Sequence, residues 1–513
     1  MGFIDDIYDN KNFIGKFFFI LSVLILVYLF IIPANHLVIH IDEHFTLGLI
    51  QLPFADAWKL IISEVHPPLY YMLLMGGLKL LNMLNISYNI TFACKMMSLL
   101  SYVLLMIICL TKIRKQHGMF TAGLFMFSLA TMSSIFVEFI TVRMYGWAIL
   151  FLVLTFLYYC DILEESNRKS WILFTLFAIL SAYTSYFLLI SIALMYLSYI
   201  IYIYLNKTLN RSKELRKTLY SIIASIIFYI PWIYTFIMQI IVPKGYNTTI
   251  QAFRPETIVN YFTYFILRET SSLTSQLYLK ILIAIFFLLL IIIFIKECKK
   301  FNVEDTYKIF SGITVYLLTI FLGAIILLFT QKSLTIRYLL PVIVLFWFTI
   351  SLLIGKMKSR SLFIISLLFI IIFGTLGFMM TTDFFNSHNN EALNEKQVLS
   401  NLNNNNNIII YNNSFHYDCY HHLLNNSIEY SLNDLNLPYN SQSYTVENNL
   451  TKILDDNPDK IVCLWKTVRN DQEVVPDGIE YEKVIGRGDV WLINIYKTDI
   501  VENNTTVETV ENI

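Results

Sequence analysis

Charged residues are scarce in this chain. Asp, Glu, Lys and Arg make up 14% of its 513 residues, whereas hydrophobic residues make up 56%. A soluble domain of this length does not need so much apolar surface, so the composition predicts a polytopic membrane protein. The formal net charge is +0, so nothing favours a nucleic acid or another polyanion as a partner.

Several sequence motifs are also missing. None of the 17 glycines belongs to a Gly-rich phosphate loop of the kind that binds nucleotides. The six cysteines show neither CxxC nor metal-ligand spacing, although a disulfide between Cys419 and Cys463 is permitted if both lie outside the cell. The first apolar run lacks a small-residue cleavage site, so we expect a retained signal anchor rather than a cleaved signal peptide.

Eleven apolar segments are each about long enough to cross the roughly 30 Å of hydrocarbon in a bilayer. They are 15–33, 91–110, 119–137, 144–162, 171–187, 188–205, 218–238, 277–295, 307–329, 338–354 and 361–380. The sequence therefore predicts an all-α polytopic membrane domain with about 11 transmembrane helices plus interfacial helices. One further apolar run, 67–84, has an ambiguous status.

Lysine and arginine cluster in alternate loops between these segments. The basic loops are 112–115, 168–169, 207–217, 296–300 and 356–360. If the eleven segments span, all five loops fall on one side, which the positive-inside rule makes cytoplasmic. Lys11 and Lys16 then lie on the same side only if 67–84 does not cross the membrane. We therefore expect a shallow interfacial or re-entrant helix there.

The composition changes after residue 380, where Asn becomes abundant and the apolar runs shorten to strand length. The runs "NIIIYNN", "KIVCLW" and "VWLINIY" predict strands, and 414–424 and 446–456 predict short helices. We therefore divide the chain into a transmembrane module, residues 1–380, and a soluble extracytoplasmic α/β domain, residues 381–513.

The first exterior loop carries adjacent acids and a histidine. Asp42 and Glu43 follow the first apolar segment, and Glu64-Val65-His66-Pro67-Pro68 precedes the ambiguous run. One carboxylate would deprotonate an acceptor hydroxyl, and its neighbour would orient a substrate or hold a cation. The two prolines start a helix sharply and so hold His66 in a defined place. The structural alternatives are a helix N-terminus that carries acids and an ordinary helix start beside a solvated histidine.

Two arginines stand at the outer starts of later segments. Arg143 lies between Glu138 and Tyr145, and Arg337 directly precedes Tyr338. Because a cation there opposes both the positive-inside bias and the helix dipole, we expect an anionic partner. A phosphate suits this position, since a guanidinium binds it bidentately. The alternative for Arg143 is a structural ion pair with Glu138.

Six motifs, taken in order, resemble the GT-C superfamily of membrane glycosyltransferases, and most of all its branch of protein O-mannosyltransferases and aminoarabinose transferases. They are "IDEHFTLG", "EVHPPLYYMLL", "EFITVRMYGW", "AYTSYF", "IPWIY" and "IRYLLP", within roughly residues 10–380. The resemblance implies an inverting enzyme that uses a sugar linked to polyprenyl or dolichyl phosphate.

The same resemblance implies roles for individual residues. Asp42 matches the catalytic acid of the first exterior loop, with Glu43 beside it as the second catalytic candidate. Glu43, His66, Glu138, Arg143 and Arg337 match positions that line the site or bind the lipid phosphate. Apart from this match, we also expect Glu64, Tyr145 and Tyr338 to bind substrate. A divalent metal ion is the one cofactor considered, and Asp42, Glu43 and His66 are its candidate ligands. Many relatives carry His where Ser185 stands, so this chain departs from the pattern in that turn.

The predicted enzyme transfers a hexosyl or pentosyl group to a hydroxyl of an envelope protein, lipid or glycan at the outer face of the plasma membrane. The alternative is a transporter or flippase of a lipid-linked sugar. Such a protein would need mid-membrane charges or broken helices and inverted repeats, whereas the polar residues here cluster at the outer ends of the segments. An oligosaccharyltransferase catalytic subunit would carry a Trp-Trp-Asp signature, which this sequence lacks.

Overall fold

A computed structural model of the chain describes residues 2–32, 36–241, 277–329, 336–439, 443–468 and 474–497. The chain forms two compact units. The first, here called the helical unit, consists of Met1–His36 and Glu64–Ser387. The second, here called the sheet unit, consists of Leu37–Ser63 and His388–Ile513.

Helices dominate the described part of the chain. In chain order they are α1 (Gly2–Asp9), α2 (Lys11–Ile31), α3 (Ile41–Gln51), α4 (Phe54–Ser63), α5 (Leu69–Met83), α6 (Ile90–Ile108), α7 (Arg114–Thr131), α8 (Ser133–Phe136), α9 (Tyr145–Glu164), α10 (Arg168–Ala182), α11 (Tyr186–Leu205), α12 (Arg211–Ile241), α13 (Leu277–Glu297), α14 (Val303–Phe329), α15 (Ile343–Lys356), α16 (Arg360–Leu402), α17 (Ser414–Leu424) and α18 (Leu450–Asp456).

Eight helical stretches among the described residues are long and apolar enough to cross a membrane. One of them, Ile90–Thr131, is interrupted at Gly118, whose φ of +87° is a conformation that favours glycine. Shorter helices, α10 and α15, cover two more of the predicted segments. Every predicted segment thus falls on described helices, and the chain is a multi-pass membrane protein.

Helix α2 shows why these segments suit a bilayer. It is apolar on all sides, and it buries Phe18 and Leu29 while it exposes Phe17, Ile20 and Leu24. An exposed apolar face of this kind is unfavourable in water and favourable in lipid.

One end of the helical unit is held together by pairs between loops that are distant in sequence. We call it the basic end, because the five basic loops meet there. The pairs are Lys112 with Asp161, Lys308 with Glu164, Lys356 with Asp305, Lys217 with the Ser166 carbonyl, and Arg360 with Asp5. This arrangement agrees with the prediction that the five loops and the amino terminus share one side.

Helix α5 begins and ends at the opposite end of the helical unit. The Leu69 amide donates to the Tyr183 carbonyl, which follows α10 at the end away from Arg168. Helix α6 starts at Ile90 and continues through a π-helical turn to Lys112 at the basic end. Residues 69 and 90 therefore lie at the same end, as we expected for a run that does not cross.

The sheet unit contains one six-stranded sheet of order β3-β2-β1-β4-β6-β5. Its strands are β1 (Asn407–Tyr411), β2 (Ile428–Ser431), β3 (Thr445–Val446), β4 (Ile461–Thr467), β5 (Ile479–Arg487) and β6 (Val490–Lys497). Strands β1 to β4 pair in parallel, and β6 runs antiparallel to β4 and β5. Apolar side chains of β1, β4, β6 and α18 form its core. The prediction of an α/β domain after the last span is confirmed.

The structure divides the chain differently from the predicted boundary at residue 380. Helix α16 runs unbroken past that point, and the units separate between Ser387 and His388. Leu37–Ser63, which we had placed in the transmembrane module, belongs to the sheet unit. Composition is read along the chain, so it does not show that an early loop folds with a late domain. Cys419 and Cys463 are both free thiols, so the permitted disulfide is not formed.

Candidate functional site

His66 and Arg143 form a buried side-chain pair in the helical unit. Pro67 and Pro68 separate His66 from α5, as the Pro-Pro turn predicted. Arg143 Nη2 donates to His66 Nε2 over 2.8 Å. A guanidinium cannot accept a hydrogen bond, so Nε2 is the acceptor and His66 is neutral, with its hydrogen on Nδ1. His66 therefore orients the guanidinium without neutralising its positive charge.

Tyr338 extends this pair. It ends the 3₁₀ turn Ile336–Tyr338, which precedes α15. Its ring meets the His66 ring edge-on, with centroids 5.6 Å apart, and stacks on Phe187 at 6.2 Å. Residues from three distant parts of the sequence thus meet around one imidazole.

The hydroxyl of Tyr145 lies within electrostatic range of both Arg143 and Arg337. Tyr145 is the first residue of α9 and is 1% exposed. Arg143, Arg337 and Tyr338 are all close enough to interact electrostatically with that hydroxyl. Within the described part of the chain it has no hydrogen-bond partner. A buried phenol among cations is a donor available to an oxygen of a bound ligand.

The two other predicted acids of the helical unit differ in burial. Glu138 lies in the 3₁₀ turn Val137–Phe139, is 1% exposed, and interacts electrostatically with Tyr145. Thr141 Oγ1 donates to Glu138 Oε2 at 3.4 Å. Glu64 is half-buried, and its Oε2 accepts from the Val65 amide at 3.0 Å. Glu138 is therefore a buried acid close to Tyr145.

Lys95 is a buried residue that the sequence motifs did not predict as part of the site. This residue of α6 is fully buried. Tyr102 lies on the same helical face two turns later, and its ring packs on Phe139 in the turn that carries Glu138. A lysine in an apolar span is costly and is a functional candidate by default. The signal was visible as the one charge within the segment 91–110.

Asp42 and Glu43 occupy the first turn of α3 in the sheet unit. Glu43 is fully buried, and its Oε2 accepts from the amides of Ile39 at 2.9 Å and His40 at 3.2 Å. This is the glutamate half of a capping box whose N-cap is His40. Asp42 is half-buried, and Thr46 Oγ1 donates to its carbonyl. The helix-start interpretation therefore fits Glu43, and Asp42 stays the candidate for chemistry.

The geometry adds no support for a metal ion. Across the described ranges, no group of three or more His, Cys, Asp or Glu side chains is arranged to hold one. The Oε2 of Glu43 is bonded to two backbone amides, which a cation would have to displace. His66 Nε2 already accepts from Arg143.

Comparison with known proteins bears on the fold. No protein-family model and no curated protein sequence matches this chain. Crystal structures of ArnT from Cupriavidus metallidurans do match. The apo structure gives a TM-score of 0.59 at 10% identity, over 93% of this chain and 97% of ArnT. The structure bound to undecaprenyl phosphate gives 0.56 at 11% identity with the same coverage. The fold of ArnT is a GT-C fold. This chain has the GT-C fold.

The GT-C likeness covers both the helical and the sheet unit, since it spans 93% of the chain. The resemblance inferred from the six motifs is thereby confirmed at the level of the fold. At this low identity the likeness does not assign roles to individual residues. The roles of Asp42 and the arginines therefore rest on their own geometry.

Proposed function

We propose that the protein is an integral-membrane glycosyltransferase that takes its sugar from a polyprenyl- or dolichyl-phosphate donor. The observation that carries this proposal is the buried pair of Arg143 and His66, against which the ring of Tyr338, the neighbour of Arg337, also packs. Both arginines lie at the end of the helical unit opposite the basic end, because α9 and α15 run from them to Glu164 and Lys356.

The chemistry of the donor fits this site. A lipid phosphate is an anion held near the membrane surface, and two guanidinium groups can bind its oxygens while charge develops on it. Lys95 adds a buried amine on the α6 face that packs toward the Glu138 turn. The binding of undecaprenyl phosphate to ArnT, which shares the fold, supports a ligand of this class.

The proposed reaction is a single displacement. The oxygen of the acceptor hydroxyl bonds to the anomeric carbon of the sugar, and the bond from that carbon to the phosphate oxygen breaks. The lipid phosphate leaves with the bonding electrons, stabilised by Arg143 and Arg337. The hydroxyl proton passes to the Asp42 carboxylate. Attack opposite the leaving group inverts the anomeric centre.

The positive-inside rule makes the basic end cytoplasmic, so the proposed site faces the exterior of the plasma membrane. The acceptors that meet this face are hydroxyls of envelope proteins, lipids or glycans.

Binding of undecaprenyl phosphate to the purified protein in lipid nanodiscs tests the proposal. We expect saturable binding by the wild type and a loss of at least tenfold in affinity for Arg143→Ala and for Arg337→Ala. Arg360→Ala is the matched control, because Arg360 pairs with Asp5 and Asp9 at the basic end. Absence of binding by the wild type, or equal losses in all three variants, would contradict the proposed donor.

A further inference from the structure

The segment that carries Asp42 folds with the carboxyl-terminal domain. Leu37–Ser63 belongs to the sheet unit, together with His388–Ile513. Helix α3 packs directly on α17: a Cβ on Gly48 would lie 2.2 Å from the Asp418 carbonyl oxygen, so the two helices approach as closely as glycine allows. Phe45 also stacks on Phe415, with ring centroids 6.1 Å apart.

A buried ion pair between Glu395 and Arg487 lies next to this contact between α3 and α17. Glu395 on α16 is 5% exposed, and Arg487 at the end of β5 donates to its Oε2. His44 Nε2 lies 3.3 Å from the same oxygen, and the Tyr420 hydroxyl donates to Oε1 at 3.4 Å. Burial alone would raise the pKa of Glu395, but His44 and Arg487 outweigh it and leave that pKa lowered. The carboxylate is therefore charged and held by three elements.

The ion pair also reaches the backbone that leads into α3. The Nη2 atom of Arg487 that binds Glu395 donates to the Val38 carbonyl at 2.7 Å. One residue on, the amides of Ile39 and His40 donate to Glu43. Arg487 of the carboxyl-terminal domain thus holds the carbonyl of Val38. Glu43 of α3 holds the next two amides. Asp42 follows two residues after His40.

From these contacts we infer that Arg487 and Glu395 are positioning residues for Asp42, so that the carboxyl-terminal domain holds the acid of the transfer reaction in place. This role rests on the proposed function, in which Asp42 is the base. A displacement of about 1 Å at a reacting group can lower a rate on the order of 100-fold, so the positioning would be visible in kcat.

The kinetic test uses full-length Arg487→Gln. We expect kcat for transfer from a polyprenyl-phosphate sugar to fall about 10- to 100-fold, with KM for that donor unchanged. Arg487→Lys should recover most of kcat, because a single nitrogen makes both contacts and an ammonium has three N–H donors. Lys497→Gln is the matched control, since it removes an exposed ion pair with Asp455 in the same domain.

Hydrogen exchange gives a readout that does not depend on activity. Arg487→Gln should speed exchange of amides in residues 37–46 and leave the strands β1, β4 and β6 protected. If exchange rises throughout the sheet, Gly48→Ala decides, because its Cβ displaces α3 while the side chains of Arg487 and Glu395 are kept. Gly76→Ala is its control, with no atom within 4 Å of the added Cβ.

The outcomes separate the two proposals. Loss of kcat in Arg487→Gln, or in Gly48→Ala where Arg487→Gln loosens the whole sheet, with faster exchange confined to 37–46, supports the positioning role. Normal kcat and normal exchange in both variants overturns it, even if Asp42→Asn is inactive. Full activity of Asp42→Asn instead removes the base from the proposed function, and with it the positioning role, whatever the exchange shows.

Discussion

The carboxylates of Asp42 and Glu43 are neighbours in sequence but have different surroundings. Glu43 is fully buried and bonded to two amides of its own helix start, whereas Asp42 is half-buried. If Asp42 is the base, Asp42→Asn removes the proton acceptor and keeps the volume. We expect transfer to fall by roughly 10²–10⁴-fold while donor binding survives. Turnover assays on purified variants, with undecaprenyl phosphate binding measured beside them, check this.

Glu43 offers the contrasting prediction. In Glu43→Gln the amide oxygen still accepts from Ile39 and His40, so transfer should fall less than in Asp42→Asn. Glu43→Ala leaves buried amides without an acceptor, which costs about 1–3 kcal/mol of stability. Thermal unfolding and turnover of both variants provide the measurement. A loss in Glu43→Gln as large as in Asp42→Asn would indicate that Glu43 has a direct part in the chemistry.

Arg143 and Arg337 should both affect the kinetics of transfer. Arg143→Ala or Arg337→Ala should raise KM for the lipid-phosphate sugar and lower kcat, by on the order of 2–4 kcal/mol in kcat/KM. Lysine at either position should restore part of the loss, since a point charge cannot reproduce the guanidinium fork. Steady-state kinetics with a synthetic donor provide the check. Unchanged kcat/KM in both Ala variants would show that these residues only stabilise the fold.

Most residues around Arg143 and Arg337 could be predicted as site residues from the sequence itself. Arg143, Arg337 and His66 are polar groups at helix starts, where sequence alone reveals their cost in a membrane. Lys95 was missed because one charge in a long apolar run does not change the prediction of a span. The capping role of Glu43 was hidden because its N-cap, His40, is not one of the usual Ser, Thr, Asp or Asn residues.

Among the elements, the buried strands were predictable and the exposed ones were not. β1 and β4 are continuous apolar runs, whose middle residues are buried. β5 was missed because its sequence, "IEYEKVIGR", has few apolar positions, and β3 because it has two residues. Helix α16 continues past its apolar part through a polar stretch to Leu402, so loss of hydropathy did not mark the end of the helix.

Helix α17 makes the sheet unit sensitive to acid. Burial lowers the pKa of His416 from 6.5 to about 4. Burial, together with the charges of His44 and His421, lowers the pKa of His422 from 6.5 to about 3. Because the unfolded chain binds these protons more readily, stability is full above about pH 6.5 and falls as the pH drops toward the folded values. Each histidine contributes up to about 1.4 kcal/mol per pH unit in that window.

Hydrogen exchange of residues 414–424, corrected for intrinsic rates, measures this effect. The free energy of opening should be lower at pH 5 than at pH 7. His416→Gln should reduce the difference, because the amide cannot take up a proton at these pH values. Equal opening free energies at the two pH values in the wild type would show that the buried imidazoles do not limit the stability of α17.

At the scale of the whole molecule, the chain order of the two units matters. The sheet unit draws Leu37–Ser63 from between α2 and α5 and the rest from after Ser387. During synthesis the sheet unit is therefore complete only after β6, Val490–Lys497, has been made. The helical unit precedes that strand in the chain. The sequence predicts each unit from its own composition, but the contacts of Gly48 and Arg487 that join the early segment to the late domain are visible only in three dimensions.

Topology gives the last prediction, because every proposed role assumes that α5 does not cross the membrane. Gln51 precedes α5 and Asn82 lies in its last turn, and both are exposed; Lys213 is exposed near the basic end. A membrane-impermeant thiol reagent on intact cells should therefore label Gln51→Cys and Asn82→Cys, and it should label Lys213→Cys only after permeabilisation. The wild type is the background control, since its six cysteines are buried. If Asn82→Cys is labelled only after permeabilisation while Gln51→Cys is labelled on intact cells, α5 crosses the bilayer. The contacts of Asp5 with Arg360 and of Lys11 with the Met357 carbonyl would then join residues on opposite sides of a membrane, which side chains of this length cannot do.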